Sequence, residues 1–367
     1  MNLATHSGIS DHPRRLSHLF RVLLNCGFFG PVLPPLQKLV TQTRMPKRMI
    51  EEAISLLVAE GVVSPDPNGQ YHRVYPAMPA GAMRTRVGVL TERSIFMRYF
   101  EIYQDYLIGL SEVFGADSVD IVFSHELIDE ETKVMALDEL IRAGVRGLVV
   151  LGKAESPFRA ALAATEVPVV LCGNSTIEQR DFACVCSDNI FGMKNLVRHL
   201  FTQGHRRIAY YTTAAHIHDG YRHRIIGYRN GMEEAGLDVY EDFIQEERHS
   251  PDSANTAAEI FMGLRSHKQS PTAFVCGCDR EAFELISELE KRGIQVPADV
   301  SVAGFENSLI NVLSPIPLTT VDIFARDMGR MAGELLLWKM KVMQPPARVV
   351  MSSLLLERAS VSSIPAE

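Results

Sequence analysis

Residues 272–307 alternate between short apolar runs and a helical pattern. The first run, residues 273–276, is typical of a buried parallel strand, and a second run covers residues 300–305. The segment between them carries apolar side chains at helical spacing. Both runs are followed by polar residues, among them Asp279 and Glu306. The stretch therefore predicts a β-α-β unit with two polar strand ends.

The same alternation covers the chain from residue 87 onwards. Apolar runs predict further strands at residues 87–90, 118–123, 147–151, 167–171, 208–212 and near 243, and helical patterns predict helices at 99–114, 130–143, 191–203, 222–235, 252–264 and 326–340. Strands that alternate with helices predict an α/β fold of parallel sheets. Ligands of such sheets bind outside the carboxyl ends of the strands, so we expect Asp279 and Glu306 to face a cleft.

The first 76 residues have a different pattern. Apolar side chains at helical spacing predict helices at residues 15–26, 36–43 and 47–60. Asn68 and Gly69 then form a hairpin-turn signal between two short strand patterns. Three helices followed by a β-hairpin are the layout of a winged helix-turn-helix domain. The Pro/Gly/Ala-rich stretch that follows predicts a linker.

Several motifs occur in the order typical of one family of proteins. They read SDN at residues 187–189, GHRRIA at 204–209, RIIGYR at 224–229, CDREA at 278–282, VPADVSVAGF at 296–305 and PLTTV at 317–321. In this respect the chain resembles the effector-binding body of LacI/GalR-type regulators. The resemblance implies a two-lobed periplasmic-binding-protein-like (type I) clamshell of parallel sheets, in which the chain crosses three times between the lobes.

The N-terminal part resembles a GntR-type winged-helix head. The motifs are LPP at residues 33–35, PKRMIEEAI at 46–54 and EGVV at 60–63. A GntR-type head on a LacI-type body resembles the arabinose-repressor arrangement. The resemblance implies that Lys47 and Arg48 begin a recognition helix that reaches base edges and phosphates, and that Arg44 and Arg73 contact the DNA backbone.

Two positions of the head depart from that pattern. Pro46 replaces the usual Ser cap, and Glu51 replaces a customary Arg. A carboxylate at this position repels phosphate, so we expect an unusual sequence preference or affinity. The alternative is a winged helix that makes protein contacts only.

These patterns predict three regions. A DNA-binding head covers residues 1–76, a linker covers 77–84 and an effector-binding body covers 85–367. Within the body, the family pattern implies one lobe at about 85–188 and 318–350, and another at about 190–317 and 352–362. We call residues 1–76 the head and residues 85–367 the body.

The resemblance also implies which residues bind the effector. Arg224 would donate to ligand hydroxyls or a carboxylate, Asp188, Asp279 and Glu306 would accept from hydroxyls, and Phe96 would stack on a sugar face, with Tyr99 and Phe100 as alternatives. We expect a small polar effector of the sugar class. Asp279 also opens a predicted helix, so helix capping is an alternative or additional role.

Charge is unevenly distributed along the chain. Residues 1–80 carry eight Lys/Arg and five Asp/Glu, a net charge of +3, whereas the remaining residues carry −10. Only the head is therefore expected to meet a polyanion. The expected partners are a pseudo-palindromic double-stranded DNA operator, a small effector and a second copy of the chain in a homodimer.

Neither a secretory signal pattern nor an apolar run of membrane-spanning length occurs in the sequence, which predicts a cytoplasmic protein without membrane contact. The Cys-x-Cys pairs at 184–186 and 276–278 and the histidines at 216, 218 and 223 raise the alternative of a metal site. One-residue spacing is shorter than the usual spacing of zinc ligands, so we expect small buried residues and neither metal nor cofactor.

An enzyme and a binding protein whose head does not contact DNA are the alternative functions. Alternating β/α folds host many reactions, so the fold alone excludes none of them. The sequence has no G-x-x-x-x-G-K-[ST] phosphate loop, since GLVVLGK at residues 147–153 is followed by Ala154, and no G-x-S-x-G or H-E-x-x-H motif. The sequence therefore favours a ligand-responsive transcription regulator, of the repressor type, over an enzyme.

Overall fold

A computed structural model of the protein describes residues 12–25, 29, 31–43, 45–74, 86–115, 119–124, 130–152, 154–173, 181–213, 219–246, 253–265, 270–312, 314–341 and 345–364. The chain divides into two compact units. Unit 1 contains the described residues up to 173, 181–185 and 325–349. Unit 2 contains the described residues of 186–324 and 350–364.

The head consists of three helices and a hairpin. They are α1 (His12–Asn25), α2 (Leu36–Thr43), α3 (Lys47–Ala59), β1 (Val63–Pro65) and β2 (Tyr71–Arg73). β1 and β2 are antiparallel, and Val32 adds an isolated bridge to His72. The predicted three helices and hairpin are thus present. The predicted linker, residues 77–84, lies outside the described residues.

The apolar stripes of the head helices account for their packing. The buried side chains of α1 and α3 include Leu16, Leu19, Phe20, Val22, Leu23, Leu24, Met49, Ile50, Ala53, Ile54 and Leu57. α1 packs on α3 within the head and also on a helix of the body in unit 1, residues 100–114. The head is therefore part of unit 1 and does not form a compact unit of its own.

The body follows the predicted alternation of strands and helices. Its elements are β3 (Val87–Glu92), α4 (Arg93–Arg98), α5 (Phe100–Phe114), β4 (Val119–Ser124), α6 (Glu130–Arg142), β5 (Gly147–Leu151), α7 (Phe158–Ala164), β6 (Val169–Gly173), β7 (Ala183–Ser187), α8 (Asn189–Thr202), β8 (Ile208–Thr212), α9 (Asp219–Glu234), β9 (Ile244–Glu246), α10 (Ser253–Arg265), β10 (Ala273–Cys276), α11 (Asp279–Lys291), β11 (Ser301–Ala303), β12 (Thr320–Asp322), α12 (Ala325–Lys341), β13 (Arg348–Met351) and β14 (Leu354–Leu356). Short 3-10 helices cover Glu241–Phe243 and Leu309–Val312.

Two sheets of the same basic order form the layers of the body. The six-stranded sheet has the order β13-β7-β6-β5-β3-β4, and the four-stranded sheet has the order β11-β10-β8-β9. The strands β3, β4, β5 and β6 pair in parallel, as do β8, β9, β10 and β11. In each sheet the first strand along the chain lies between the second and the third. This is the strand order of doubly wound folds, which bind ligands where the order reverses.

Glycines allow a close contact between the helices α5 and α12 of unit 1. A Cβ atom at Gly109 would lie 1.8 Å from the carbonyl oxygen of Arg326, and one at Gly329 would lie 2.0 Å from that of Tyr106. Only residues without a side chain allow the two backbones to approach this closely. The α5 residues from Phe100 to Ser111 are all buried.

The structure differs from the sequence prediction at one domain boundary and in two additional helices. The chain returns to unit 1 at Ala325, after β12, and not near residue 318, because β12 pairs with β14 in unit 2. Residues 93–98 form α4 where the pattern predicts no element, and α7 is an additional helix. None of the helices in the described part of the chain is long and apolar enough to cross a membrane.

Candidate functional site

Polar side chains converge where the strand order of the unit 2 sheet reverses, between β8 and β10. β8 is followed by Thr213, and β10 is followed by Gly277 and Cys278, which lead into α11. β11, the next strand, is followed by Glu306. The carboxyl ends of parallel strands meet at one edge of a sheet, so these residues share that edge.

Arg224 of α9 is the centre of this cluster. Its Nε donates to Oδ1 of Asn189 at 2.9 Å, and its Nη1 donates to the carbonyl oxygen of Gly277 at 2.6 Å and to Oε1 of Glu306 at 2.9 Å. The guanidinium carbon lies 4.5 Å from the ring centroid of Tyr221 and 4.3 Å from that of Phe305. Two rings and three acceptors therefore hold the guanidinium, while Nη2 has no hydrogen-bond partner among the described residues.

Arg224 and Glu306 form a buried ion pair. Their side chains are 4% and 8% exposed. Burial alone would lower the pKa of Arg224, but the Glu306 carboxylate raises it above its usual value, so the guanidinium stays charged. Burial raises the pKa of Glu306, and Arg224 opposes that shift. Such a pair depends strongly on both partners, because either charge alone would be costly to bury.

The backbone at Glu306 adopts an uncommon conformation. Its φ is 106°, and that of Asn307 is 50°. A positive φ at a residue other than glycine is costly and is found most often at functional sites. The Asn307 side chain donates to Asp322 and accepts from Arg358, at 2.9 and 2.8 Å. These bonds fix the turn after β11, and the turn directs Glu306 towards Arg224.

Asp279, the first residue of α11, is completely buried and its carboxylate is directed into unit 2. Oδ2 accepts from the backbone N of Ser308 at 2.7 Å and from Nδ2 of Asn311 at 3.1 Å, and Oδ1 accepts from the hydroxyl of Thr320. Burial raises the pKa of Asp279 to about 7. The carboxylate oxygens both accept from protein donors, so Asp279 joins the turn after β11 to α11 and β12.

Glu281 forms a second buried network, which the sequence did not single out. Oε1 accepts from the backbone N and the hydroxyl of Thr213 at 2.6 and 2.9 Å, and from the Thr212 hydroxyl at 3.2 Å. Oε2 accepts from the backbone N of Cys278 at 3.1 Å. Burial raises the pKa of Glu281 to about 7. The side chain thus ties the end of β8 to the start of α11.

The other two predicted effector-binding residues have structural contacts. Asp188 Oδ1 accepts from the backbone N of Phe191 at 3.0 Å, so this carboxylate caps α8. Phe96 lies in α4 and is fully buried, in edge contact with Phe100 and Tyr103 at centroid distances of 5.8 and 6.0 Å. The ring of Phe96 is therefore a core side chain and is not exposed for stacking on a sugar. The sequence analysis predicted no element between residues 90 and 99, whereas residues 93–98 form α4, which buries the Phe96 ring against α5.

The corresponding edge of the unit 1 sheet contains another buried ion pair. Nζ of Lys133 lies 2.8 Å from Oε1 of Glu92, the last residue of β3, and these side chains are 4% and 11% exposed. Oε2 of Glu92 has no hydrogen-bond partner among the described residues. The sequence offers a partial signal for this pair, because Glu92 lies two residues after the apolar run at 87–90.

The predicted DNA-binding residues of the head differ in their exposure and in their contacts. Lys47 and Arg48 begin α3, and their side chains are 66% and 90% exposed. Both lie near a glutamate one turn later in α3, at 3.7 Å from Glu51 and 2.9 Å from Glu52. Arg73 donates to the carbonyl oxygen of Leu24 at 3.1 Å. Arg44 lies outside the described residues, and Pro46 precedes α3 without a side-chain cap.

The cysteines of the predicted pairs form no disulfide within the described residues. Cys184, Cys276 and Cys278 are buried, and Cys186 is half-buried. Burial raises the pKa of Cys276 and of Cys278, so both stay protonated. His216 and His218 lie outside the described residues. Among the residues that the structure describes, no group of three His, Cys, Asp or Glu side chains is arranged to hold a metal ion.

The body resembles known proteins in sequence and in fold. Residues 197–361 match the family model of the periplasmic binding protein-like domain. A transcriptional regulator LacI from Bacillus cereus subsp. cytotoxis superposes with a TM-score of 0.68 at 22% identity, covering 77% of this chain and 100% of its own. The family match thus lies within the body, and the solved structure shows its fold. Its α/β fold is the type I fold found in LacI-family structures.

Two further proteins resemble the periplasmic-binding-protein-like body. The HTH-type transcriptional repressor PurR of Glaesserella parasuis serovar 5 is 31% identical over 218 residues, which are 57% of this chain and 60% of PurR. The transcriptional regulator CelR in complex with cellobiose superposes with a TM-score of 0.66 at 20% identity, covering 89% of this chain and 99% of that structure. The match to PurR thus spans about three fifths of that repressor's length.

Proposed function

We propose that the chain is a ligand-responsive DNA-binding transcription regulator, of the repressor type. α3 supports this proposal most directly, because its first turn exposes Lys47 and Arg48 in a chain that also has a periplasmic-binding-protein-like body. Helices with exposed cations at the N-terminal end are suited to the major groove. The head would be of the GntR type, as in the arabinose-repressor arrangement, and Arg44 and Arg73 would contact the DNA backbone.

The Arg224 cluster is the proposed effector site. Nη2 of the buried guanidinium has no described partner, which leaves a charged donor for an oxygen of the ligand. Glu306 supplies a carboxylate next to it, and Tyr221, whose ring stacks on the guanidinium, would supply the aromatic part of the site. A small polyhydroxylated molecule needs donors, acceptors and an apolar face. We therefore propose a sugar as the effector class, in agreement with the cellobiose in the CelR complex.

Asp188 and Asp279 have supporting roles in this proposal. Asp188 caps α8, whose first residue is Asn189, and Asn189 accepts from Arg224. Asp279 fixes the turn that directs Glu306 towards Arg224. These carboxylates would thus position ligand-binding groups, in contrast to the direct contacts that the sequence predicts.

The regulatory mechanism needs a ligand with different affinities for two states of the body. The protein is proposed to act as a cytoplasmic homodimer, because two heads related by twofold symmetry match a pseudo-palindromic operator. Ligand binding would change how the heads are held and thereby change the affinity for the operator.

The experiment measures DNA affinity and ligand binding separately. Fluorescence anisotropy with the DNA upstream of the protein's own gene is expected to detect binding at low salt. A thermal-shift screen of sugars is expected to find a stabilising ligand whose effect disappears in Arg224→Ala. Lack of DNA binding with and without every stabilising ligand would leave only a small-molecule-binding protein. A stabilising ligand that is turned over would indicate an enzyme.

A further inference from the structure

A polar cavity lies within unit 1, and none of its lining residues belongs to the Arg224 cluster of unit 2. Its volume is about 400 Å³, within the range of ligand pockets. It is formed by α1 and the end of α3 from the head and by α5 and α12 from the body. The lining residues are Arg14, Arg15, Ser17, His18, Arg21, Leu56, Glu60, Ile108 and Arg326.

The lining is strongly cationic. It contains four arginines, and Glu60 is the single carboxylate among the lining residues that the structure describes. Three of the arginines form ion pairs, Arg15 with Asp105, Arg21 with Glu60 and Arg326 with Glu112. Arg14, an exposed residue, forms no ion pair with a described residue. The lining thus has an excess of positive charge even after these pairs are formed.

Several guanidinium donors remain unused. Nε of Arg15 and Nε of Arg21 are buried and have no hydrogen-bond partner in the described part of the chain. Each ion pair of these side chains is made through Nη2, so the planar group retains further N–H donors. A buried donor without an acceptor is costly, although both side chains as a whole are only half-buried.

The positive charge of the cavity's arginines also affects His18. Its Nε2 lies 2.6 Å from Oγ of Ser111, and that hydroxyl donates to the carbonyl oxygen of Ile108, so Nε2 is the donor in the first bond. Burial lowers the pKa of His18, and the Arg21 cation lowers it further, with Glu112 acting in the opposite direction. His18 is therefore neutral and adds polar lining, and the arginines supply the charge.

We propose that this cavity is a second ligand site, which binds a small, multiply charged phosphate-type anion. Arginine forks match the oxygens of such anions and bind them with charge-assisted hydrogen bonds. A volume of about 400 Å³ accommodates a pyrophosphate with its waters, because one water occupies about 30 Å³ in the liquid.

The bound anion would link the head to the body. α1 contributes Arg14, Arg15 and Arg21 from the head, while α12 contributes Arg326 from the body. An anion between them would bind best when α1 is packed on α5, and it would therefore stabilise that packing. The site does not depend on the proposed operator or on the Arg224 cluster.

Isothermal titration of the full chain with pyrophosphate and with inorganic phosphate, at constant ionic strength set by chloride, tests the site. Arg14→Gln and Arg21→Gln are each expected to weaken binding about tenfold, because each removes a charged donor. Glu60→Gln is expected to tighten binding, because it removes the carboxylate from the lining and releases Arg21. Arg146→Gln, an exposed arginine of unit 1 outside the cavity, is the matched control and should bind as the unaltered protein does.

The affinity should fall in the arginine variants and rise in Glu60→Gln. This opposite response distinguishes a specific site from non-specific electrostatic binding and from unfolding of the variants. Equal affinities of the four variants, or binding that chloride abolishes, would overturn the proposal. Tighter binding by Glu60→Gln cannot result from unfolding, so that variant remains decisive if Arg21→Gln is unstable. Retained binding by Arg224→Ala would distinguish this site from the proposed effector site.

Discussion

The carboxylate of Glu306 lies 2.9 Å from Nη1 of Arg224, and the rings of Tyr221 and Phe305 lie against the guanidinium. Glu306 follows β11, and Arg224 belongs to α9. The positive φ of Glu306 directs its side chain to this position. Charge, cation–π contact and backbone conformation thus act on the same pair of side chains.

Arg224→Ala is expected to destabilise unit 2 by about 3 kcal/mol or more, because it leaves the Glu306 carboxylate buried without its counterion. Urea unfolding measures this change. The double variant Arg224→Met, Glu306→Gln is the control, since it removes both charges at once and should recover part of the loss. A single variant that unfolds at the same urea concentration as the unaltered protein would show that the pair contributes nothing.

Asp279→Asn is expected to change how stability depends on pH. Burial raises the folded-state pKa of Asp279 to about 7, whereas an unfolded Asp titrates near about 3.9. Between about pH 4 and 7 the folded protein therefore binds more protons at this residue, and its contribution to stability falls as pH rises. Asparagine does not titrate, so the variant lacks this loss. Its free energy of unfolding, relative to that of the unaltered protein, should therefore be higher at pH 8 than at pH 5. Urea unfolding at pH 5 and at pH 8 measures the free energies of unfolding of both proteins. The same difference between them at the two pH values would contradict the raised pKa of Asp279.

Lys47→Ala and Arg48→Ala are each expected to weaken DNA binding and to reduce the slope of log K against log salt by about one, because each removes one phosphate contact. Thermal stability should be nearly unchanged, since both side chains are exposed. Glu51→Gln should strengthen binding by removing a carboxylate near Lys47. Anisotropy titrations at several salt concentrations measure these effects, and Arg146→Ala of unit 1 is a control outside the head. Unchanged salt slopes would exclude α3 as the DNA-binding helix.

Gly109→Ala is expected to destabilise unit 1 by about 3 kcal/mol, because the added Cβ would lie 1.8 Å from the carbonyl oxygen of Arg326 and force α5 away from α12. Gly263→Ala in α10 is the matched control. Apart from its chain neighbours and the backbone of its own helix, no described atom lies within 4 Å of its Cβ position, so this variant should be neutral or stabilise the helix by about 0.5–1 kcal/mol. Thermal unfolding distinguishes them, and similar melting temperatures would contradict the proposed close packing.

The sequence predicted the strands and helices well where a local pattern marks them. The apolar run at 273–276, the helix after Asp279 and the hairpin turn at Asn68 and Gly69 correspond to β10, α11 and the β1–β2 hairpin. Hydrophobic periodicity is a local signal, because the repeat of a helix or strand places residues at a fixed spacing in the sequence on the same face, and that face is buried. α4 was missed because it has only six residues, too few for a helical repeat of apolar side chains to be recognised.

The sequence by itself determined the alternating α/β pattern, the three helices and hairpin of the head, and the location of polar residues after the strands. Only the tertiary structure decided which of those residues bond to one another. It directed Asp279 to Ser308 and Thr320, used Asp188 as a helix cap, placed Arg224 between two rings, and brought the arginines of α1 close to Arg326. Hydrophobic burial follows from the local repeat of side chains, whereas a hydrogen bond or an ion pair depends on atoms that the folded chain brings together from distant positions.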